Sequence, residues 1–193
     1  MLPAIHVLKV FTAITVILIG VSAISCTGQS ADDQPTPVLT SAPSTTFPMP
    51  PVKPNADMGW VVSDGARARL SDYANRVLVL DFYATWCLPC RQSIPHLASM
   101  QDRLGDRGLQ VVGLNVGGAD DRIKVAAFAS ELKIRYPLGF PDKSLSEFFL
   151  SDNQTIPQTF VFGRDGNLIK RFIGYDQTIG NELEKTIQAA LEK

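Results

Sequence analysis

Two cysteines, Cys87 and Cys90, are separated by two residues. The apolar run 77–83 before them predicts a buried strand, and the segment after them predicts a helix. Two thiols at this spacing can close a small disulfide and reopen it. The free N–H groups and the dipole of a helix N-terminus favour a thiolate on the first cysteine. We therefore predict that Cys87 is the nucleophile and that Cys90 is the resolving thiol.

The same spacing is also found in half of a zinc site, and a closed zinc site needs four ligands. The other cysteine and histidine side chains of the chain are Cys26, His6 and His96. Cys26 and His6 lie in or beside an N-terminal apolar segment that has the features of a targeting signal. The ligand count therefore favours redox chemistry. We predict no bound metal and no cofactor.

Strands alternate with helices along the rest of the chain, which predicts an α/β fold with a mixed central sheet and flanking helices. An N-terminal hairpin turns at Asp64-Gly65, and a second hairpin turns near Gly166. The predicted strands are 60–63, 66–70, 77–83, 109–116, 137–140, 159–163 and 168–173, and the predicted helices are 89–104, 120–132, 144–150 and 177–192.

The chain has 193 residues, a formal net charge of −1 and 45% hydrophobic residues. Residues 58–193 are enough for one domain with its own core. The near-neutral charge gives no electrostatic footprint for nucleic acid, so we predict no nucleic-acid partner. We expect the domain to be a monomer.

Residues 1–25 have the layout of a secretory signal peptide. A weakly positive start precedes the apolar run 10–21, and small residues follow it. The four residues Ala23-Ile24-Ser25-Cys26 resemble a bacterial lipobox, in which the cysteine is acylated and becomes the new N-terminus. Cys26 is therefore the predicted lipidation site, although Ala23 stands where Leu is usual. Two alternatives remain open: an uncleaved anchor helix, and ordinary cleavage that releases a free protein.

Residues 26–57 are predicted to be a lipid-anchor site followed by a disordered linker. The segment is rich in Pro, Ser and Thr and has few large apolar residues. Such a composition buries too little surface to offset the entropy of the chain. We expect an extended tether that holds the domain away from the membrane.

The segment 79–90, together with Pro95 and the stretch 156–160, resembles the thioredoxin fold. Within that fold it is similar to the exported TlpA/ResA-type thiol-disulfide oxidoreductases of the AhpC/TSA-related thioredoxin-like superfamily. The resemblance covers residues 60–193, and the long insertion 117–153 fits the TlpA/ResA type better than plain thioredoxin. It implies that Pro157 is cis and packs beside the active disulfide. It also implies that Ile156 offers its backbone to the substrate, and that Trp86 and Pro89 help to bind the substrate.

The chain departs from this family at two positions. TlpA/ResA-type proteins usually carry Asn where this chain has Asp81, and an acid where it has Ser93. Asp81 lies six residues before Cys87, at the position of the buried carboxylate of thioredoxin itself. A carboxyl group in an apolar strand has a raised pKa and can accept the proton of Cys90 during resolution. We therefore predict a catalytic role for Asp81.

Two other activities of related folds remain as alternatives. A peroxiredoxin-like peroxidase needs Thr three residues before its reactive cysteine, whereas Thr85 lies two residues before Cys87. A copper-delivery protein prefers a wider cysteine pair and a distant histidine, and no histidine follows His96. The sequence therefore favours a thiol-disulfide oxidoreductase over either alternative.

The resemblance further implies a place and a pathway. We expect a reductant of exported protein disulfides in the cell envelope, anchored to the membrane by its N-terminal lipid and supplied by an upstream membrane electron donor. A role in cytochrome c maturation is implied by the family alone. The direction of electron flow depends on a reduction potential that the sequence does not give.

Overall fold

The computed structural model describes residues 53–193, and in this range the chain forms seven strands and five α-helices. The strands are β1 (Gly59–Val62), β2 (Arg67–Arg69), β3 (Val77–Tyr83), β4 (Leu109–Asn115), β5 (Leu138–Pro141), β6 (Gln158–Phe162) and β7 (Leu168–Ile173). The helices are α1 (Leu88–Leu104), α2 (Ala119–Arg122), α3 (Val125–Glu131), α4 (Lys143–Leu150) and α5 (Gln177–Leu191).

The seven strands form one mixed sheet in the order β2-β1-β5-β4-β3-β6-β7. The strand β3 pairs in parallel with β4 and antiparallel with β6. All seven residues of β3 are buried, as expected for a strand covered on both faces. The segment with Cys87 and Cys90 follows this central strand, so the buried strand β3 sets the position of the two cysteines.

The two faces of β3 contribute to two hydrophobic cores. Val77 and Val79 pack in the core that also holds residues of α1, α3 and α5. Leu80 and Phe82 pack in the core that holds Phe149 of α4. Since side chains alternate along a strand, Asp81 faces the same side as Val79, toward α1.

The predicted α/β architecture with a mixed sheet and an N-terminal hairpin is confirmed. Strands β1 and β2 pair antiparallel around Asp64-Gly65, and Gly65 adopts a positive φ of 93°. Strands β6 and β7 form the second hairpin. The strand predicted over 77–83 has the same limits in the structure.

The single helix predicted over residues 120–132 is wrong. The structure has two short helices here, α2 and α3, with a break at Ile123 and Lys124. The N–H of Lys124 donates to the carbonyl of Asp121 at 2.9 Å, three residues back instead of four. This tighter bond ends the α-helical ladder of α2 before α3 begins.

Three predictions fall on residues that the structure does not describe. The signal peptide 1–25, the lipidation site Cys26 and the linker as far as residue 52 lie outside the described residues. Among residues 53–193, the longest helices are too short or too polar to cross a bilayer.

Candidate active site

Cys87 and Cys90 lie at the N-terminus of α1 and are joined by a disulfide. Cys87 is the N-cap residue, and its Sγ accepts a hydrogen bond from the N–H of Cys90 at 3.3 Å. Pro89 occupies the first turn, where a missing N–H removes no helical bond. Cys90 is fully buried, whereas Cys87 retains 5% exposure. Cys87 is therefore the more accessible of the two sulfurs.

The Ile156–Pro157 peptide bond is cis, and it places the backbone of Ile156 beside the disulfide. The carbonyl oxygen of Ile156 lies 3.7 Å from Sγ of Cys87. Trp86, which directly precedes Cys87, is 66% exposed. The structure therefore places Trp86, Pro89 and Ile156 close to Cys87, with Pro157 joined to Ile156 by the cis bond.

A buried polar network holds the loop that carries Ile156. The amide Nε2 of Gln158 donates to the carbonyls of Asn153 and Thr155 at 2.7 and 2.8 Å. The Oε1 atom of Gln158 accepts from Nε of Arg171 at 2.8 Å, and Arg171 also donates to Asp152 at 2.7 Å. Sequence analysis did not identify Gln158 or Arg171. Their partners lie on β7 and in the loop before β6, and no short motif signals such a pairing.

Asp81 is completely buried on β3, facing α1. Its Oδ1 accepts one hydrogen bond, from the hydroxyl of Thr159 at 2.8 Å. Its Oδ2 has no partner among the described residues. Burial raises the pKa of Asp81 to about 7, and the bond from Thr159 opposes the shift only in part. The carboxyl group can therefore hold or release a proton near neutral pH.

Two tyrosine rings cover the other side of Asp81. Gly113 of β4 pairs with Asp81 across the sheet, and it has no side chain. A Cβ at Gly113 would lie 3.2 Å from the ring of Tyr83 and 3.3 Å from the ring of Tyr136. Both hydroxyls are buried without a partner in the described region, and burial raises the pKa of each. The rings of Tyr83 and Tyr136, with the side chain of Leu138, therefore line the space over Gly113 beside Asp81.

Asp121 of α2 is a second buried carboxylate near the motif, and sequence analysis did not identify it. It accepts hydrogen bonds from the N–H of Thr85 at 2.9 Å, from the Thr85 hydroxyl, and from Nδ2 of Asn115 at 2.8 Å. Burial acts to raise its pKa, but the bonds from Asn115 and Thr85 outweigh burial and hold the pKa below its usual range. This ionised group fixes α2 to the residue that precedes Trp86.

A groove of about 710 Å³ opens beside the disulfide. Its lining combines apolar and charged side chains from the motif, the insertion and the loop before Pro157, including Trp86, Arg122, Phe140, Glu147, Leu150 and Ile156. The groove therefore runs directly from the two residues that flank Cys87 onto the surface of the insertion.

The sequence profile of the AhpC/TSA family matches residues 42–171. The chain belongs to this family. The predicted superfamily is thereby confirmed. Among curated relatives of this AhpC/TSA chain, the thiol-disulfide oxidoreductase ResA of Bacillus subtilis is 27% identical over 113 residues, 58% of this chain and 61% of that protein. The ResA protein of Bacillus thuringiensis is 24% identical over 69% of this chain and 73% of its own length.

A solved structure agrees with this assignment. The crystal structure of a putative thiol:disulfide interchange protein DsbE from Chlorobium tepidum is 29% identical, with a TM-score of 0.62. It covers 70% of this AhpC/TSA chain and 94% of its own chain. The predicted thioredoxin-like fold and the ResA-type resemblance are therefore confirmed.

Proposed function

We propose that this protein is a thiol-disulfide oxidoreductase that exchanges disulfides through Cys87 and Cys90. The observation that carries the proposal is the geometry around Cys87. The Sγ atom of Cys87 caps helix α1 and is bonded to Cys90 in a disulfide. It lies 3.7 Å from the carbonyl oxygen of Ile156. The similarity to proteins named thiol-disulfide oxidoreductase and thiol:disulfide interchange protein supports the same chemistry.

The first step is attack by Cys87. In the reduced protein the helix N-terminus stabilises the Cys87 thiolate, which attacks one sulfur of a substrate disulfide. A Cys87–substrate disulfide forms, the substrate disulfide breaks, and the first substrate sulfur leaves as a thiolate that takes a proton from solvent. The Ile156 backbone, with Trp86 and Pro89, holds the substrate beside the sulfur.

The second step is resolution by Cys90. The Asp81 carboxylate accepts the proton of the Cys90 thiol, and the Cys90 thiolate attacks Sγ of Cys87. The Cys87–Cys90 disulfide forms, the mixed disulfide breaks, and the second substrate sulfur leaves as a thiolate. Asp81 suits this role because its pKa of about 7 lets it bind and release a proton near neutral pH.

Two variants test the order of the thiols. The Cys87→Ser protein should lose exchange completely. The Cys90→Ser protein should accumulate mixed disulfides with substrates, visible on non-reducing gels, because attack survives and resolution does not. Cys26→Ser is the matched control, and exchange by its purified protein should equal that of the wild type. Trapping by the Cys87 variant and not by the Cys90 variant would reverse the assignment.

A comparison of three assays tests the rival activities. The reduced protein should reduce the disulfides of insulin, should consume hydrogen peroxide no faster than its Cys87→Ser variant, and should show no stoichiometric copper binding in titration. Fast peroxide consumption would favour a peroxidase, and tight copper binding would favour copper delivery.

We further propose that the protein acts in the cell envelope as a membrane-anchored reductant. The signal-like layout of residues 1–25 and the lipobox-like position of Cys26 support this location. An upstream membrane electron donor would reduce the Cys87–Cys90 disulfide, and exported protein disulfides, including those of cytochrome c maturation, would receive the electrons. The domain acts as a monomer.

The anchor is tested by fractionation of the full chain. Wild-type protein should sediment with membranes, and the Cys26→Ala protein should not, because bacterial lipoprotein processing supplies the additional acyl chains that stable anchoring requires. A soluble wild type would refute the lipoprotein. Membrane retention of the Cys26→Ala protein would instead indicate an uncleaved anchor over residues 10–23.

A further inference from the structure

One charged side chain in the groove beside the disulfide lacks an ion-pair partner. The groove holds Arg122 and Glu147. Glu147 lies 3.6 Å from Lys143, one turn earlier on the same helix. Arg122 forms no salt bridge within residues 53–193. Among the described residues that line the groove, Arg122 is the one cation and has no ion-pair partner, whereas Glu147 is paired with Lys143.

The Arg122 guanidinium is held in place by the fold. Its central carbon lies 4.0 Å from the centroid of the Phe140 ring, close enough for a cation–π contact. Resting on an aromatic ring limits the side chain to few rotamers and leaves its N–H donors free for a partner. A planar guanidinium of this kind suits a carboxylate, which it binds through two parallel hydrogen bonds.

The position of Arg122 is also coupled to the motif. The preceding residue, Asp121, binds the N–H and hydroxyl of Thr85, and Thr85 precedes Trp86 directly. Gly118, with a positive φ of 89°, provides the sharp turn that starts α2, a conformation that other residues adopt only with strain. The distance from Arg122 to the reacting sulfur is therefore set by α2 and not by a mobile loop.

The remaining groove residues indicate the rest of the ligand. Trp86, Phe140 and Leu150 provide apolar surface, and Ile156 leads the groove to Cys87. A polypeptide that pairs with the Ile156 backbone runs extended, with about 7 Å between side chains on the same side. A substrate segment in this groove thus places side chains a few residues from its cysteine over the apolar floor and near Arg122.

We propose that Arg122 is a specificity-determining residue that binds a carboxylate of the polypeptide substrate, located within a few residues of the substrate's reacting cysteine. The inference rests on the proposed thiol-disulfide exchange and extends it to a substrate class: disulfides in an acidic, partly apolar sequence context. The ion pair between Arg122 and the substrate carboxylate raises the affinity and the encounter rate. The exchange reactions at Cys87 and Cys90 are the same with or without it.

Disulfide-linked peptide dimers test this proposal. Each nine-residue peptide has a central cysteine, with four residues on either side. In each set of three peptides, Glu, Gln or Lys occupies the same one of these eight positions, and a separate set is made for every position. One reduced protein molecule converts one dimer into two peptide thiols and is itself oxidised to the Cys87–Cys90 disulfide. The second-order rate constant of this single turnover is measured by separating peptide monomer from dimer after an acid quench. At one position or more, the Glu peptide should exceed the Gln peptide by about fivefold, and the Lys peptide should be the slowest. The preference for Glu should shrink at high salt.

Three variants assign that preference. Arg122→Gln should abolish it, and Arg122→Glu should reverse it in favour of the Lys peptide. Arg135→Gln is the matched control, because Arg135 is an exposed arginine outside the groove whose acidic neighbour, Asp102, lies 3.7 Å away. The control should keep the full preference.

The possible outcomes separate the two proposals. Equal rates for Glu and Gln peptides at every position, or a preference that survives in Arg122→Gln, would overturn the role of Arg122 while leaving exchange intact. A reduced wild-type protein that reduces neither the peptides nor a small aromatic disulfide would overturn the proposed function, and the role of Arg122 would fail with it.

Discussion

Two buried carboxylates near the disulfide have opposite environments. Asp81 accepts a single hydrogen bond, from Thr159, and one of its oxygens has no partner in the described residues. Asp121 accepts three, two from Thr85 and one from Asn115. Burial raises the pKa of Asp81 to about 7, whereas the pKa of Asp121 lies below its usual range.

The difference indicates that the hydrogen bonds a carboxyl group accepts can offset the effect of burial on its pKa. Transfer from water penalises the charged form of both groups. The donors around Asp121 replace the lost water and stabilise the charge, and the single donor at Asp81 does not. Asp121 is therefore ionised at neutral pH and ties α2 to the Cys87–Cys90 motif, and Asp81 is a group that can exchange a proton near neutral pH.

The largest expected effect concerns stability and pH at Asp81. The folded state holds the Asp81 proton more tightly than the unfolded state, where the pKa is near 3.8. The contribution of Asp81 to stability should therefore be greatest below about pH 4 and should decline as pH rises toward 7, by about 4 kcal/mol in total. Asp81→Asn should lack this decline and should be the more stable protein at pH 8. Urea denaturation of the oxidised protein at several pH values measures this.

Thr159 can still donate to an amide oxygen at position 81, so the comparison changes the charge and little else. Equal stability of the two proteins at pH 8 would mean that Asp81 is hydrated, and the contrast with Asp121 would be lost.

The second effect is a loss of stability at Asp121. Asp121→Ala removes the acceptor for three buried donors and should lower the free energy of unfolding by about 3 kcal/mol at pH 7. The pH dependence should have the opposite sign to that of Asp81. Since the pKa of Asp121 is depressed in the folded state, its stabilisation is present above the ordinary pKa of Asp and disappears as pH falls below it.

Asp121→Asn is the informative control, because it keeps one acceptor oxygen and should lose less than Ala. Thermal unfolding at pH 7 and pH 3 compares the three proteins. A destabilisation by Ala that is equal at both pH values would contradict an ionised Asp121.

The third effect is kinetic and separates the roles of the two carboxylates. Asp81→Asn should slow resolution of a preformed mixed disulfide about a hundredfold at pH 8, since the base for Cys90 is missing. The initial attack by Cys87, measured in a Cys90→Ser background, should change little. The wild-type resolution rate should rise with pH through about 7, and the variant should lack this step. Equal losses in both reactions would argue against a proton relay.

The local features of this site could be predicted from the sequence because they depend on neighbouring residues. The apolar run 77–83 defines β3 with its limits, and the spacing of Cys87 and Cys90 places both at a helix start. The apolar flanks of Asp81 correctly indicated burial. The cis bond before Pro157 was implied by family resemblance and not by the composition of the chain.

The features that were missed depend on residues far apart in the chain. Asp121 meets Thr85 across 36 residues, and Arg171 meets Gln158 across 13 and Asp152 across 19. In the sequence, Asp121 is one of two acidic residues, with Asp120, in the first turn of the predicted helix 120–132. Only the fold shows that the predicted helix is divided into α2 and α3. It also shows that Asp121 is buried and accepts hydrogen bonds from Thr85 and Asn115.

The smallest expected effect tests the comparison most directly, because it changes hydrogen bonding without changing burial. Thr159→Val removes the only hydroxyl among residues 53–193 that donates to Asp81, and it keeps a β-branched side chain of similar volume in the same buried position on β6. The ionised carboxylate loses a bond worth about 1 to 1.5 kcal/mol, so the titration midpoint of Asp81 should rise by about one pH unit. Carbon-13 NMR of the labelled carboxyl group follows the titration.

Thr186→Val serves as the matched control, since the Thr186 hydroxyl donates to the carbonyl of Glu182 on α5 and does not contact Asp81. A midpoint that stays in place in Thr159→Val would mean that donors other than Thr159 set the charge of Asp81, and its contrast with Asp121 would then have to come from solvent.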